Sequence, residues 1–289
     1  MQAVSYYLAY PFIYLLASLP FPVLYVVSDG LAVLMRLVGY RKAVIETNLR
    51  KSFPEKSDKE IRALVREYYH YLCDLTLETL KTMNLSEEEN RKRTILRNPE
   101  LLERLYKERG SIILVLGHYG NWEWMGPCIT LNTKYQLVVI FRPLTQPYFD
   151  RMMTRWRTRF GTEITPVQQT LRTMVANRNR KTATAFVADQ AAPTNAYWTT
   201  FLNQDTSVFT GAEKLAVKFN YPVVYLSAAR PKRGHYVLTP EILFENPAKT
   251  AENEISEVFT RRLERDIKEN PVIWLWSHKR WKNPRPQSQ

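Results

Sequence analysis

Cysteine is nearly absent: Cys73 and Cys128 are the only two in 289 residues. Neither stands in a metal-type pair, and two thiols build no disulfide framework, so the bulk of the chain reads as cytosolic. Histidine is almost as scarce. His70, His118, His235 and His278 lie far apart, which leaves little material for a zinc site, and no metal is expected. Several motifs are missing as well. There is no Gly-x-Ser-x-Gly elbow, no His-Glu-x-x-His, no Walker loop and no Gly-x-Gly-x-x-Gly, which argues against covalent serine chemistry, zinc hydrolysis and nucleotide binding.

Charge is missing from the beginning. Met1 to Ser28 contains no charged side chain and divides into two apolar pieces, residues 4–19 and 23–38, punctuated by Pro20 and Pro22. A membrane-spanning helix needs about 20 mostly apolar residues, so residues 6–27 are long enough, although proline inside the run predicts a kink or a helical hairpin. No basic leader precedes the run and no small-residue cleavage site follows it, which argues against a removable signal peptide. Arg36, Arg41, Lys42, Arg50 and Lys51 come next. By the positive-inside rule they hold the remainder of the chain in the cytoplasm.

Negative charge is in short supply overall. Lys+Arg 41 against Asp+Glu 28 leaves a net charge of +13, which favours acidic partners: nucleic acid, an anionic membrane face or an acidic protein. The basic residues are spread along the chain and no nucleic-acid motif is present, so no nucleic-acid partner is expected. Seven Trp and seventeen Tyr suit a membrane interface, where a ring with a polar tip is at home.

The order of elements is legible from periodicity. Residues 57–83 place Ile61, Leu64, Val65, Tyr68, Leu72 and Leu75 on one helical face, with Ser57 or Asp58 as cap. Short runs at 111–116, 136–141, 183–188 and 222–229 then alternate with helical stretches at 99–109, 146–160 and 211–220. Runs apolar throughout suit strands covered on both faces, and the alternation predicts an α/β fold with a mostly parallel central sheet flanked by helices. A last amphipathic helix spans 252–270, and a polar tail closes the chain from Asn283 to Gln289. The expected organisation is a membrane-anchoring helical region over residues 1–40, a helical segment packed on the core over 41–84, and an α/β domain over 85–289.

The most informative stretch is Ser111-Ile-Ile-Leu-Val-Leu-Gly-His-Tyr-Gly-Asn-Trp-Glu123. Five apolar residues form a buried strand that delivers Gly117, His118 and Gly120 to its C-terminal end, where open α/β sheets build active sites. On one continuous helix His118 and Glu123 would point roughly 140° apart. The flanking glycines instead predict a strand–turn–helix in which the two side chains meet. An imidazole paired with a carboxylate takes a proton from an attacking hydroxyl, while the carboxylate fixes its tautomer. With no protein nucleophile in view, the substrate hydroxyl attacks directly.

Gly117-His-Tyr-Gly-Asn-Trp-Glu123 resembles the His-x4-Asp/Glu block of the late acyltransferases of lipid A biosynthesis, the lauroyl and myristoyl transferases, within the wider glycerolipid acyltransferase group. The resemblance runs nearly end to end. Asn48-Leu49 and Phe53-Pro-Glu55 match the segment after that family's anchor, and Phe141-Arg-Pro-Leu144 its Tyr-Arg-Pro block. Asp189-Gln190 matches its Asp-Gln pair, Phe209-Thr-Gly-Ala212 the stretch before a helix, and Trp274-Leu-Trp-Ser-His-Lys-Arg-Trp281 its end. The resemblance implies acyl transfer from acyl carrier protein, or from CoA, to a hydroxyacyl chain of a lipid A precursor at the cytoplasmic face of the bacterial inner membrane. No cofactor is implied beyond that acyl co-substrate. It maps His118 as base, Glu123 as its partner and Arg142 as the motif arginine; an acidic carrier protein would be drawn by the net charge. Two departures bear on acceptor and chain length. Phe201-Leu-Asn203 replaces the family's Phe-Phe-Gly, in a loop expected to shape the acyl or acceptor pocket, and Asp189-Gln190 runs into Ala-Ala-Pro rather than a polar-glycine run.

The remaining candidates follow from position. Arg142 ends an apolar strand, where a guanidinium can clamp a phosphate. Asp189 also follows a strand, placed to order the site wall or to bond Arg142. Thr210 and Gly211 open a helix, with Thr210 as cap and free N–H groups able to hold an anion. Arg151, Arg155, Arg157 and Arg159 suit anionic lipid or a carrier protein. Lys279, Arg280, Lys282 and Arg285, interleaved with Trp274, Trp276 and Trp281, are expected at the membrane interface, while His278 and Arg280 serve local packing and charge rather than catalysis. The alternatives are another lipid acceptor (an aminolipid, a phosphatidylinositol mannoside or a lysophospholipid) and a lipid-binding protein without catalysis, which would need neither His118 nor Glu123.

Overall fold

The computed structural model describes residues 2–286, so the last three positions of the polar tail, and Met1, lie outside the described residues. The chain opens with α1 (Gln2–Ser18) and α2 (Phe21–Leu37). Leu19 and Pro20 separate them: Pro20 sits extended at ψ 147 as the N-cap of α2, and the residue before a proline is pushed out of helical geometry. The expected span over residues 6–27 is therefore two helices, and no single helix among the described residues is long and apolar enough to cross a membrane. Next come α3 (Lys42–Ser52) and α4 (Asp58–Lys81). Ser57 caps α4 in a reciprocal box with Glu60, which satisfies two otherwise unpaired N–H groups.

The α/β region follows as α5 (Glu87–Arg93), β1 (Thr94–Leu96), α6 (Pro99–Glu108), β2 (Ile112–Leu116), α7 (Trp122–Asn132), β3 (Gln136–Phe141), α8 (Pro147–Thr158) and β4 (Glu163–Pro166). It continues through α9 (Thr170–Ala176), β5 (Thr182–Val187), β6 (Tyr197–Phe201), β7 (Gln204–Val208), α10 (Gly211–Phe219), β8 (Val223–Lys232), β9 (His235–Phe244) and α11 (Glu254–Glu269). Seven strands form one sheet in the order β1-β9-β8-β2-β5-β3-β4, and β6 and β7 form a separate hairpin. Within the large sheet only β8 and β9 pair antiparallel. The mostly parallel sheet expected from unbroken apolar runs is what forms: every residue of β2 is buried, with parallel neighbours β5 and β8 on either side.

Two expectations change. Leu202 and Asn203 are the two-residue tip of the β6–β7 hairpin, both with positive φ, the geometry that matches strand twist. Leu202 is fully buried, its N–H donates to Glu264, and Asn203 donates to the Ser52 carbonyl at 3.1 Å. This turn clamps α3 and α11, with Leu202 packed inside the protein. Two of the three C-terminal tryptophans are buried instead of lying at an interface, whereas Trp281 is partly exposed. Trp274 and Trp276 are 2% and 0% exposed, and Asn48 donates to the carbonyls of Trp276 and His278 at 2.8 and 3.0 Å. Burying two indoles in the core outweighs their value at a headgroup layer, since each removes a large apolar area from water.

Helix α4 and the tip of the β8–β9 hairpin hold α2 against the core through buried charge. Asp74 accepts hydrogen bonds from Ser28 at 2.6 Å, Arg230 at 2.5 Å and Arg233 at 2.6 Å. Arg233 also reaches Asp29 at 2.8 Å. The opposite flanks of α1 and α2 carry exposed Leu8, Phe12, Leu15, Val26, Leu34 and Leu37.

Candidate active site

Strand β2 ends at Leu116, and the turn Gly117–Asn121 carries the chain into α7. Two glycines make that turn possible. Gly120 has φ +67, and a Cβ there would meet that of Ala228 at 2.9 Å, so only glycine fits without displacing β8. A Cβ on Gly117 would lie 2.8 Å from the Leu263 methyls and 3.3 Å from an Asp189 oxygen. The bare backbone is what lets that carboxylate come close. The turn is braced from several sides: Tyr71 donates to the Gly120 carbonyl at 2.7 Å, and the Gly120 N–H donates to the Ile273 carbonyl at 2.9 Å. Asn121 caps α7 by accepting from the Trp124 N–H at 3.1 Å and donates to Glu78 at 2.9 Å. Glu78 is fully buried, also accepts from Tyr236 and Tyr25, and burial pushes its carboxyl above the usual range against those bonds.

The imidazole of His118 meets a carboxylate, and that carboxylate is Asp189. Nδ1 of His118 lies 2.6 Å from Asp189 Oδ1, and the His118 backbone N–H donates to Oδ2 at 2.8 Å. The Trp274 indole N–H donates to the same Oδ2, also at 2.8 Å. Burial pushes the Asp189 carboxyl up, but the imidazole charge and these hydrogen bonds outweigh it and hold the group at about 2. Asp189 is thus ionised throughout the neutral range. Because the anion fixes the proton on Nδ1, Nε2 is left as the acceptor, with Gln190 Nε2 at 3.4 Å and the Trp122 ring edge-on at 4.8 Å. The geometry is that of an oriented general base.

Glu123 is the expectation that changes. Its two oxygens take a bidentate pair from Arg157 on α8, at 2.6 and 2.9 Å, and no hydrogen bond joins it to His118. The five-residue step places Glu123 in the first turn of α7, turned toward α8, whereas Asp189 leaves the adjacent parallel strand beside His118. Arg142 is exposed just past β3 and makes no hydrogen bond or ion pair among the described residues, so it does not bond Asp189. Thr210 occupies the N-cap position of α10 without a side-chain cap hydrogen bond, and the exposed Gly211 beside it has open space around its Cα. Neither approaches the His118–Asp189 pair through any hydrogen bond. The pairing of His118 with Asp189 had one sequence signal: both residues directly follow apolar strands.

If Glu123 works through Arg157, the two form one unit. Glu123→Gln and Arg157→Gln are each expected to cost about 1–3 kcal/mol, as a charged partner is left unpaired in a largely buried place. Combining them should cost little more than either alone, in both thermal unfolding and turnover. Additive losses would show that Glu123 has a separate role.

Both thiols lie outside this chemistry. Burial pushes Cys73 and Cys128 up to about 11, so neither supplies a thiolate nucleophile at neutral pH.

The chain is 21% identical over 276 residues, 93% of its length and 88% of the relative's, to a lipid A biosynthesis palmitoleoyltransferase of Escherichia coli (strain K12). A lipid A biosynthesis acyltransferase of Shigella flexneri matches to the same extent. One of Haemophilus influenzae is 24% identical over 271 residues, covering 91% of this chain and 86% of its own. The family profile described as bacterial lipid A biosynthesis acyltransferase matches residues 1–283. With that match across nearly its whole length, the chain belongs to the bacterial lipid A biosynthesis acyltransferases.

Proposed function

We propose that this enzyme moves a fatty acyl group from an acyl thioester, carried by acyl carrier protein, to a hydroxyl of a lipid A precursor, with His118 as general base. The observation that carries the reading is the 2.6 Å contact between His118 Nδ1 and Asp189. It leaves Nε2 free to accept the hydroxyl proton as the oxygen attacks the thioester carbonyl. The C–O bond forms, the C–S bond breaks, and the imidazolium returns its proton to the departing sulfur. Asp189 stabilises that imidazolium, because an ionised carboxylate at hydrogen-bond distance favours the charged ring. The net charge of +13 favours encounter with an acidic carrier protein over a neutral donor.

The same proposal seats the protein on the cytoplasmic face of the inner membrane. The exposed apolar flanks of α1 and α2 form a patch of the kind that marks a membrane contact. The other side of α2 is tied into the domain by the Asp74 network, and Lys81 holds the end of α1 through the Ala17 carbonyl, which favours insertion into one leaflet over a free span. Tyr6 of α1 packs on Tyr148 and Phe149 of α8 at 5.6 and 5.3 Å, so a helix leading from the site reaches the same surface.

The test is acyl transfer from labelled acyl carrier protein to a lipid A precursor by the purified protein in detergent. His118→Ala is expected to lose at least about 10³-fold in kcat/KM. Equal transfer by the variant would refute the mechanism. Transfer by the parent protein to a different lipid only would correct the acceptor alone.

A further inference from the structure

Arg280 is 3% exposed, yet no carboxylate among the described residues lies within hydrogen-bond distance of it. Its guanidinium donates only to neutral acceptors of β7, the Thr206 hydroxyl and, at 2.9 Å, the Ser207 carbonyl, and its Nε has no partner. An arginine in such a place is expensive, since a buried cation without a counter-ion forfeits its hydration. Its surroundings lead to the active site. Ser207 donates to the Ala192 carbonyl at 2.8 Å, three residues beyond Asp189. The guanidinium lies 5.9 Å from the Phe201 ring centre, and Phe201 packs at 5.7 Å on Trp274, whose indole holds Asp189. Burial lowers the Arg280 group to about 10 while the Asp189 charge works against that fall, so it remains a cation at neutral pH.

A lone carboxylate beside an imidazole has a drawback. It favours the imidazolium, which already carries the proton the reaction must give it. A second cation within electrostatic reach of the carboxylate counters that preference. We propose that Arg280 is a positioning residue for acyl transfer, whose buried, carboxylate-free charge offsets the pull of Asp189 on the His118 proton without occupying the carboxylate oxygens. This rests on the reading of His118 as general base.

The other charges near the imidazole do not supply this balance. Glu123 and Arg157, beyond Trp122, cancel each other. His278, whose Nε2 is buried without a partner, is pushed down by desolvation, with Asp189 opposing and His118, Arg280 and Lys282 assisting, so it stays neutral at working pH. Glu78 acts on the turn through Asn121 and its carboxyl is shifted upward by burial. That leaves Arg280 as the buried cation whose charge couples to Asp189.

The experiment is the pH dependence of kcat/KM for the full chain, with acyl carrier protein thioester and lipid A precursor, in the parent, Arg280→Gln and Arg280→Lys. Arg280→Gln should move the acid limb upward by about one pH unit. Turnover should then fall by up to about tenfold on the acid limb and return to the parent value on the alkaline plateau. Arg280→Lys should keep the parent limb. Thr206→Asp is the second route to the same end, because it pairs the guanidinium in place and should give the same upward shift even if Arg280→Gln does not fold. A loss of equal size at every pH, or a limb that stays put in Arg280→Gln and Thr206→Asp, would overturn the inference and leave the base reading untouched. A parent enzyme with no acid limb, or an active His118→Ala, would instead bring down the base reading itself.

Discussion

Asp189→Asn should lower kcat by about 10²–10⁴-fold and leave KM close to the parent value, measured by steady-state acyl transfer at saturating donor. The amide is nearly isosteric, so the contacts of Gly117 and Leu263 survive. What changes is the proton. The introduced carboxamide would offer a donor or a neutral acceptor where Nδ1 now meets an anion, which frees the ring to take the other tautomer and present N–H instead of a lone pair to the substrate. It would also remove the charge that stabilises the imidazolium formed in the transition state. The Trp274 and His118 N–H groups now satisfied by Oδ2 would lose a charged acceptor as well, a smaller effect that thermal unfolding can separate from turnover. If Asp189→Asn turned over within about threefold of the parent while Glu123→Gln were inactive, the imidazole would be steered by Glu123 in the working enzyme. The pairing described above would then be a resting arrangement.

Asp74→Ala is the change expected to hurt stability most. Asp74 is 2% exposed and is the shared acceptor for Ser28, Arg230 and Arg233. Arg230, with a side chain 13% exposed, has no other carboxylate partner among the described residues. Removing Asp74 would strand that guanidinium, for which about 3–5 kcal/mol is typical of a buried pair broken on one side. Arg233 keeps Asp29 and is partly solvated, so the lower end applies: about 3 kcal/mol, or a fall in melting temperature on the order of 10 °C. The same variant should loosen α2, since the Ser28 bond runs to this carboxylate and the Arg233 that holds Asp29 is itself anchored on it. Differential scanning fluorimetry in detergent, with protease cleavage near residues 38–41 as a second readout, checks both. A loss under about 1 kcal/mol would mean that water replaces Asp74 and that the network is solvated.

Much of the architecture can be read locally because its cause is local. Ile112–Leu116 and Thr182–Val187 are mostly apolar because both faces of a central parallel strand are covered. Ser57 and Glu60 announce the start of α4 by satisfying its own end. The β6–β7 hairpin and β9 escape such reading. Tyr197–Phe201 and Gln204–Val208 mix the exposed Thr200 and Asp205 with buried positions, and β9 alternates against β8 as an edge-side partner, so neither forms an unbroken apolar run. The tail tryptophans mislead for a different reason. Trp, Lys and Arg interleaved in sequence look the same whether the rings face a headgroup layer or a protein core, and only the docking of Asn48 and Phe53 against them decides.

By itself the sequence determined the central strands, the glycine-bounded turn that lifts His118 from the end of β2, and membership of an acyltransferase family. Tertiary structure alone decided which acid is bonded to that histidine. Asp189 lies 71 residues from His118, and they meet because β2 and β5 pair in parallel with Leu116 beside Val187. Strand adjacency arises from the packing of whole helices between strands, and no local spacing records it. A carboxylate five residues away can be turned to another partner by one helical turn, while a carboxylate at the end of the neighbouring strand is held in place by the sheet.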